Sequence, residues 1–544
     1  MRSAGIVGFM TLLSRISGLM QTFFLSHYLG AGVAADAYAV AFRLPNLLRR
    51  FTAEGTMTAA FLPTLAEVEA KEGEAAMKDT AAKFLGTLVV LLAFLVAVTI
   101  LAMGLIAGLL VVGRLTPPGS GFGASFAMLG RVLSGQVPPP PELALTIRLG
   151  RIMFPYLVLV SLTAGFAGLL NLRHKFALAS AVSIFWNLAY IASAWATIVL
   201  FRRAGRGDDA TAALCCALAV IVGGIVQLAM LWPAAKRMGF GLRLGLHFRN
   251  PGVMRALRRM GPGLIAAGIY PINALVSTML ASDLKAGAQI VLYNSGMMGE
   301  MVLGLFAMSL ATASLPLMAQ QAEAKDLNGL RRSLADSLRA SALLCIPACV
   351  GVAVLALPIA RLIFQTGRYG SDAAAWTAST MVFQMVGLLF VASSRIGTQA
   401  LYALKDYRGP VAVAFASLLA NIALSIALLR PLGTGGLALA NGLSSLFGLA
   451  LLVWRLHGRL DRLPVAPVLK GWMQNLGGAV LLGLAAWYGA RALGLGATPG
   501  RALLAAKLLP LIAACGLLYG LVLAAMGHDQ AQRLLSTLRR KLPI

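Results

Sequence analysis

Apolar stretches of membrane-crossing length, roughly twenty residues each, recur about fourteen times along this chain, and one soluble core has no room for so many. They fall near residues 5–29, 36–65, 84–112, 144–171, 177–200, 211–232, 261–282, 288–319, 338–364, 373–403, 410–429, 434–454, 474–494 and 502–526. Within a bilayer the backbone must satisfy its own hydrogen bonds, so such stretches read as helices. The expected fold class is an all-α polytopic membrane protein. Composition agrees: of 544 residues, 59% are hydrophobic and 12% charged, with mean hydropathy +0.82, which leaves no material for a separate soluble domain.

The net charge of +27, from 46 Lys and Arg against 19 acids, would suit nucleic acid if it were clustered on a soluble face. Instead the basic residues sit mostly between spans, so no nucleic-acid partner is expected. With the N-terminus inside, the even-numbered connections hold about twice as many Lys and Arg as the odd ones, the asymmetry of the positive-inside rule. Both termini are therefore expected in the cytoplasm. The first span is read as retained, being long and interrupted by Arg15.

The basic segment 236–260, with Asn250-Pro251-Gly252, reads as a cytoplasmic linker between a lobe of six spans (1–235) and a second of six (261–460). The remaining two spans and a basic tail occupy 461–544. Leu169 to Asn187 and Leu401 to Asn421 each run from a span's end, through a basic turn, to an Asn in the next span. Both run in the same direction, as in a parallel repeat about the membrane normal. The outward segment Thr116 to Glu142 reads as a loop with a short amphipathic piece from Phe122 to Leu133, and shows no chemistry. Pro155, Pro262, Pro271, Pro316, Pro347 and Pro358 would each free a backbone carbonyl and let a span bend.

One stretch stands out, Asp36 to Pro63, which places Asp36, Arg43, Arg49, Arg50 and Glu54 inside membrane-grade sequence. A charge at the bilayer centre costs roughly 2.5–3.5 kcal/mol on insertion scales, so this group implies a water-filled cavity or a charged ligand. Arg43, Arg50 and Glu54 fall along one helix face with Arg49 about 100° round, and Arg50 and Glu54 can pair. Counting about 1.5 Å per residue from the Gly30-Ala31-Gly32 turn puts Arg15, Arg49 and Arg50 at similar depth, about 20 Å from that surface. With Ser14, Ser17 and Asn46 nearby, the guanidinium cluster suits a multivalent oxyanion. The bland alternative makes Arg49 and Arg50 a cytoplasmic cap on a short second helix.

Signals for covalent chemistry are poor. Asp208-Asp209 could serve a metal-dependent transferase, but they stand alone in a loop and read as solvated. His27, His174, His247, His457 and His528 sit singly at span ends or in loops, as interfacial residues do. Cys215, Cys216, Cys345, Cys349 and Cys515 all fall in apolar segments and read as core packing. No cofactor, no metal and no enzymatic activity are expected.

The residues that carry a family resemblance are Leu13-Ser14-Arg15 with Gly18, Gly30-Ala31-Gly32, Asp36-Ala37-Tyr38, the run Phe42 to Arg50, Ala53-Glu54-Gly55 and Ala60-Phe61-Leu62-Pro63. Further on come Phe154-Pro155-Tyr156, Met260-Gly261-Pro262, Leu315-Pro316, Phe364-Gln365 with Gly367, and Tyr402 to Pro410. On these the chain resembles the MurJ (MviN) family of lipid II flippases, within the multidrug/oligosaccharidyl-lipid/polysaccharide exporter superfamily. The resemblance implies two six-helix lobes around a cavity, two final helices forming a groove for a polyprenyl tail, and an inner-membrane location. It further implies transport of a polyprenyl-diphosphate lipid, lipid II, by alternating access, with membrane lipids and the cell-wall synthesis machinery as surroundings.

Arg15, Asp36, Arg49 and Glu54 match cavity positions that the family needs. Arg15, Arg43, Arg49, Arg50 and Asn46 are then the candidate headgroup contacts, and Asp36, Glu54, Glu300 and Arg395 the candidate conformational or ion-pair residues. Two departures stand against the pattern: Gln21-Thr22 replaces an Arg-Asp pair, and Gly296-Met297 an Asp-Arg pair, with Glu300 kept. Arg395 is a candidate to replace the missing charge or, alternatively, a snorkelling interfacial arginine. The rival readings are an exporter of another polyprenyl-linked glycan or of cationic drugs, against which the arginines argue, and a membrane glycosyl- or prenyltransferase.

Overall fold

The computed structural model describes residues 2–528, apart from 53–55, 118–119, 174, 206, 305–307, 407, 461–462 and 499, together with Gln532. Every regular element among them is helical, apart from one isolated bridge between Thr366 and Tyr369. The chain divides into two compact units, Met1–Ile290 with Thr366–Tyr369, and Val291–Gln365 with Gly370–Ile544.

The first unit contains α1 (Arg2–Leu29), α2 (Val33–Thr52), α3 (Thr56–Glu72), α4 (Glu74–Leu101), α5 (Met103–Leu110), α6 (Gly121–Leu133), α7 (Pro141–Met153), α8 (Tyr156–Leu172), α9 (Phe176–Arg203), α10 (Asp209–Arg237) and α11 (Pro251–Ala281). Several expected spans arrive as two pieces. Phe154-Pro155 separates α7 from α8, since proline's ring and missing N–H break the helical ladder. The core gathers Phe61, Phe84, Phe154 and Phe166, with Phe61 and Phe84 stacked at 4.3 Å between ring centres. The packing unit runs past the expected linker, because α11 packs on α2, α3, α4 and α5. Asn250 closes the N-terminus of α11 by accepting from Gly252 N (2.9 Å) and Val253 N (3.1 Å), with Pro251 in the first turn where its missing N–H costs nothing.

Two glycines of the resemblance have a steric reason. The turn after α1 uses Gly30 at φ +67°, and a Cβ there would lie 2.7 Å from the Arg368 carbonyl oxygen. Gly367, at φ +50°, answers it: its Cβ would lie 2.3 Å from the His27 carbonyl. That close approach is held by Arg368 N donating to His27 O (3.2 Å), His27 Nδ1 bonded to Thr366 Oγ1 (2.9 Å) and an Arg368–Asp209 ion pair. His27 is thus a packed, bonded residue and not the solvated one expected. Asp208 and Asp209 are also employed separately: Asp208 caps α10 through Thr211 N (3.2 Å), while Asp209 holds Arg368.

Helix α12 (Ala288–Val302) begins in the first unit and continues in the second. The second unit adds α13 (Met308–Glu323), α14 (Leu327–Val354), α15 (Ala356–Ile363), α16 (Ser371–Val386), α17 (Leu388–Ala403), α18 (Arg408–Arg459), α19 (Val465–Ala492) and α20 (Arg501–Ala525). α18 carries two of the expected spans, divided at Gly433, whose φ of +56° and ψ of −131° no helix adopts. Pro316 and Pro347 lie inside α13 and α14. The last two helices pack within this unit, where the Tyr519 hydroxyl of α20 reaches Leu343 O of α14 (3.1 Å) and Asn475 Oδ1 of α19 (3.2 Å). Among the described residues seven segments are long and apolar enough to cross a membrane, α7 and α8 together making one of them, or eight if the bent pair α16–α17 counts as one span. The five cysteines are free thiols packed among helices.

Candidate functional site

Helix α2 changes character along its length. Its first half is buried all round: Ala34 through Phe42 show at most 8% of their surface. An aromatic ladder holds it to α9, with Tyr38 and Tyr190 sharing a hydroxyl hydrogen bond of 2.9 Å and Phe42 and Trp186 stacked at 6.3 Å. Beyond it Arg43, Asn46 and Arg49 are only half-buried.

At the buried end Asp36, 0% exposed, spends both oxygens. Oδ1 accepts from Ile290 N (2.8 Å), and Oδ2 from Gly287 N (2.7 Å) and Arg114 Nη2 (2.8 Å). Gly287 and Ile290 lie at the start of α12, where unpaired backbone N–H groups and the helix dipole favour a carboxylate. Arg114 is itself fully employed: Nη1 spans both Glu142 oxygens (3.1 and 3.3 Å), Nε donates to Ser282 O (3.0 Å) and Nη2 to Lys285 O (3.2 Å). Beneath it Gly113 N donates to Ser282 Oγ (2.9 Å), and a Cβ on Gly113 would lie 2.5 Å from Asp283 N. The same end is tied by Gln289 Nε2, which donates to Leu110 O (3.0 Å) and Thr278 O (2.9 Å).

The other half of α2 holds the candidate headgroup contacts. Arg43 donates to Thr278 Oγ1 of α11, so it is tied to a neighbouring helix at the boundary of the sealed end. Arg49 and Asn46 form an i, i+3 pair, Nε to Oδ1 at 3.2 Å, which fixes the guanidinium along α2. Arg15 lies on an exposed face of α1 with Ile16, Met20 and Phe23, and makes no hydrogen bond or ion pair to the described residues. Ser17 faces the other way: Asn187 of α9 donates to its buried Oγ (2.8 Å) and to the Ser14 backbone carbonyl (3.4 Å), so Ser17 packs α1 against α9. Asn421, the repeat's second Asn, also bonds a serine, Ser444 Oγ at 3.3 Å.

Glu54 lies outside the described residues, as does the side chain of Arg50, so the expected Arg50–Glu54 pair does too. Glu300 on α12 and Arg395 on α17 are half-buried in the second unit. Asp36 does not join the arginine group. It belongs to the opposite end of α2, with Arg114 and with Glu142, the last residue of the segment expected to be a loop without chemistry. The available signal was depth: Arg114, Glu142 and Asp36 all fall at the same membrane surface, where opposite charges pair.

This helical architecture, with charged residues inside its spans, is that of a membrane transporter. An inward-facing multidrug resistance MATE family transporter of the MOP superfamily shares its fold at TM-score 0.63 and 11% identity, over 82% of this chain and 95% of that one. A structure of lipid II flippase MurJ in an inward closed conformation reaches TM-score 0.71 at 19% identity, over 96% and 99%. In sequence, the lipid II flippase MurJ family matches residues 25–506, and the chain belongs to it. The lipid II flippase MurJ of Burkholderia cenocepacia is 30% identical over 482 residues, 88% of each chain. A probable lipid II flippase MurJ of Vibrio cholerae is 30% identical over 457 residues, 84% of this chain and 83% of that one.

Proposed function

We propose that this chain carries lipid II, a polyprenyl-diphosphate-linked headgroup, from the inner to the outer leaflet of the cytoplasmic membrane by alternating access, with no covalent step. The observation that supports it best is Arg15, a guanidinium on the exposed face of α1, the first expected span, with no counter-charge among the described residues. An uncompensated charge at that depth requires water or an anion. Arg15 and Arg49 hold the diphosphate in this reading, while Arg50 and Asn46 complete the polar wall.

The bound anion also has a source of energy. At about 2.3 kcal/mol per charge per 100 mV, an inside-negative potential favours outward movement of a dianion by roughly 4–5 kcal/mol. Asp36 reports the conformation: its bonds to Gly287 and Ile290 are made with the outward end of the first unit closed and lost when it opens. Both termini and the 236–260 linker face the cytoplasm.

The test is replacement of the resident flippase in a depletion strain, scoring lipid II in the outer leaflet. Arg15→Ala and Arg49→Ala should abolish transport at normal membrane levels, each removing a charge-assisted contact of roughly 1.5–3 kcal/mol. Arg131→Ala, on the exposed face of α6, should transport normally. Normal expression of the unmodified chain without lipid II translocation would overturn the cargo, and three equivalent variants would overturn the site.

A further inference from the structure

Residues 241–247, between α10 and α11, run across the start of α4 without helix, and a turn at 248–249 leads on to the Asn250 cap. Arg243 N donates to Ala82 O (3.1 Å), Thr87 Oγ1 to Gly245 O (3.2 Å) and His247 N to Thr87 Oγ1 (3.1 Å). Gly86 makes this possible, since a Cβ there would meet the Arg243 carbonyl oxygen at 1.6 Å. An extended chain alternates its faces. Gly245 and His247 turn toward α4, and Leu244, Leu246 and Phe248 turn out, 66%, 54% and 42% exposed.

Their depth can be read from α4. Glu74, Lys78, Asp79 and Lys83 precede the crossing point, and the exposed apolar face of Leu91, Phe94, Leu95, Val98 and Leu101 begins about one turn after Thr87. The three apolar side chains therefore stand where headgroups meet hydrocarbon. The segment's own charge has one sign: 236–260 contains seven Lys and Arg and no acid, and while Arg255 and Arg259 pair with Glu67, Lys236, Arg237, Arg243 and Arg249 are exposed. The nearest acid, Asp79, is already shared by Lys83 and Arg243.

We propose that this segment is an interfacial anchor for anionic phospholipid: Leu244, Leu246 and Phe248 enter the leaflet surface while Lys236, Arg237 and Arg249 hold lipid phosphates. Apolar insertion beside a polybasic surface is the combination that selects acidic leaflets. Because the segment ends at the Asn250 cap, the anchor also fixes the start of α11 at the membrane surface.

The test uses the full chain in nanodiscs of phosphatidylcholine alone or with phosphatidylglycerol, carrying bimane on Leu246→Cys in a background with the five native cysteines replaced. Bimane emission should be blue-shifted and quenched by a shallow spin-labelled lipid, more strongly with phosphatidylglycerol present. Each of Arg237→Gln and Arg249→Gln should reduce the preference for phosphatidylglycerol by about fivefold. Native mass spectrometry of the unlabelled chain with its own cysteines, counting retained phosphatidylglycerol with and without those two substitutions, covers failure of the labelled variant to fold. Water-like emission would overturn the anchor, and equal quenching in both compositions would overturn its choice of lipid. A blue shift without lipid quenching would place a second copy or another protein on the patch, and overturn it as well. Symmetric nanodiscs and a binding readout make the result independent of whether the chain transports lipid II.

Discussion

Asp36 and Asp406 are built from the same parts and placed in opposite circumstances. Each carboxylate sits between the N-terminus of a helix and a guanidinium: Asp36 with α12 and Arg114, Asp406 with Gly409 N of α18 (2.8 Å) and Arg455 Nε (2.9 Å). Asp406 caps a helix that starts just after it in the chain. Asp36 caps one 254 residues away, from a different helix. The local cap is lost only when α18 frays, whereas the distant one is lost whenever α2 and the start of α12 part. The guanidiniums differ to match: the Arg114 side chain is 12% exposed, those of Arg455 and Arg459 34% and 54%. A carboxylate that caps its own helix stabilises an element; one that caps a distant helix can hold a conformation.

The largest expected effect follows from that difference. Asp36→Ala leaves two helix N–H groups and a buried guanidinium short of an acceptor, and losing one member of a buried pair costs about 3–5 kcal/mol. Asp406→Ala removes a helix cap with solvent-accessible partners, about 1 kcal/mol. Thermal unfolding of the two variants in detergent should separate them clearly, with lipid II transport lost only for Asp36→Ala. Equal destabilisation would end the distinction.

The arginine partners give the next effect. Arg114→Gln should abolish transport, because Arg114 joins Asp36, Glu142 and two carbonyl oxygens of the 282–285 turn. Arg455→Gln should leave transport near normal, since Arg459 also reaches Asp406 and exposed pairs are worth about 1 kcal/mol or less. Transport measured in the depletion strain decides between them.

How much of this was legible in the sequence follows the same line between local and distant. The helices, the Gly30 turn, the depth of Asp36 and the polar run on α2 follow from periodicity and rise per residue, which are local properties. Arg114 as the partner of Asp36 was hidden because nothing in a 78-residue separation specifies a pair, and the intervening loop looked empty. Ser17 was misread for a related reason: its proximity to Arg15 in sequence says nothing about which face α9 covers. The place of α11 in the first unit was equally invisible, since its apolar pattern fits either partner.

A smaller effect concerns Gln21 and Gly296-Met297, the positions where the resemblance implies charge and this chain has none. A Cβ on Gly296 would meet nothing within 4 Å, so the backbone of α12 tolerates a side chain there. Met297→Arg, alone or with Gly296→Asp, should therefore fold normally and bind a diphosphate headgroup several-fold more tightly, as Gln21→Arg should on α1, each adding one charge-assisted contact. Native mass spectrometry with lipid II reads this directly. Unchanged affinity in all three would remove these positions from the headgroup site, and would leave Arg395→Ala as the test of where the second unit's positive charge lies.

The smallest effect is a pH dependence that belongs to Asp406. The Arg455 guanidinium beside it, with help from the Gly409 N–H, holds the Asp406 carboxyl below the usual carboxylate range. A carboxyl depressed in the folded state binds its proton more readily in the unfolded one, so its contribution is present above the unfolded value, about 3.9, and disappears as the pH falls through the lower folded value. Because Arg455 and Arg459 are solvent-accessible, that contribution is about 1 kcal/mol or less. Asp406→Asn should therefore unfold a little below the unmodified chain at pH 7, and the gap should begin to narrow near pH 4, where the unfolded carboxyl starts to take up its proton, and close only as the pH falls through the lower folded value. A gap that stays constant from pH 7 to pH 3 would mean that the charge of Asp406 adds nothing to folding and that only its hydrogen bond to Gly409 matters, which would make the local cap weaker still beside the distant one.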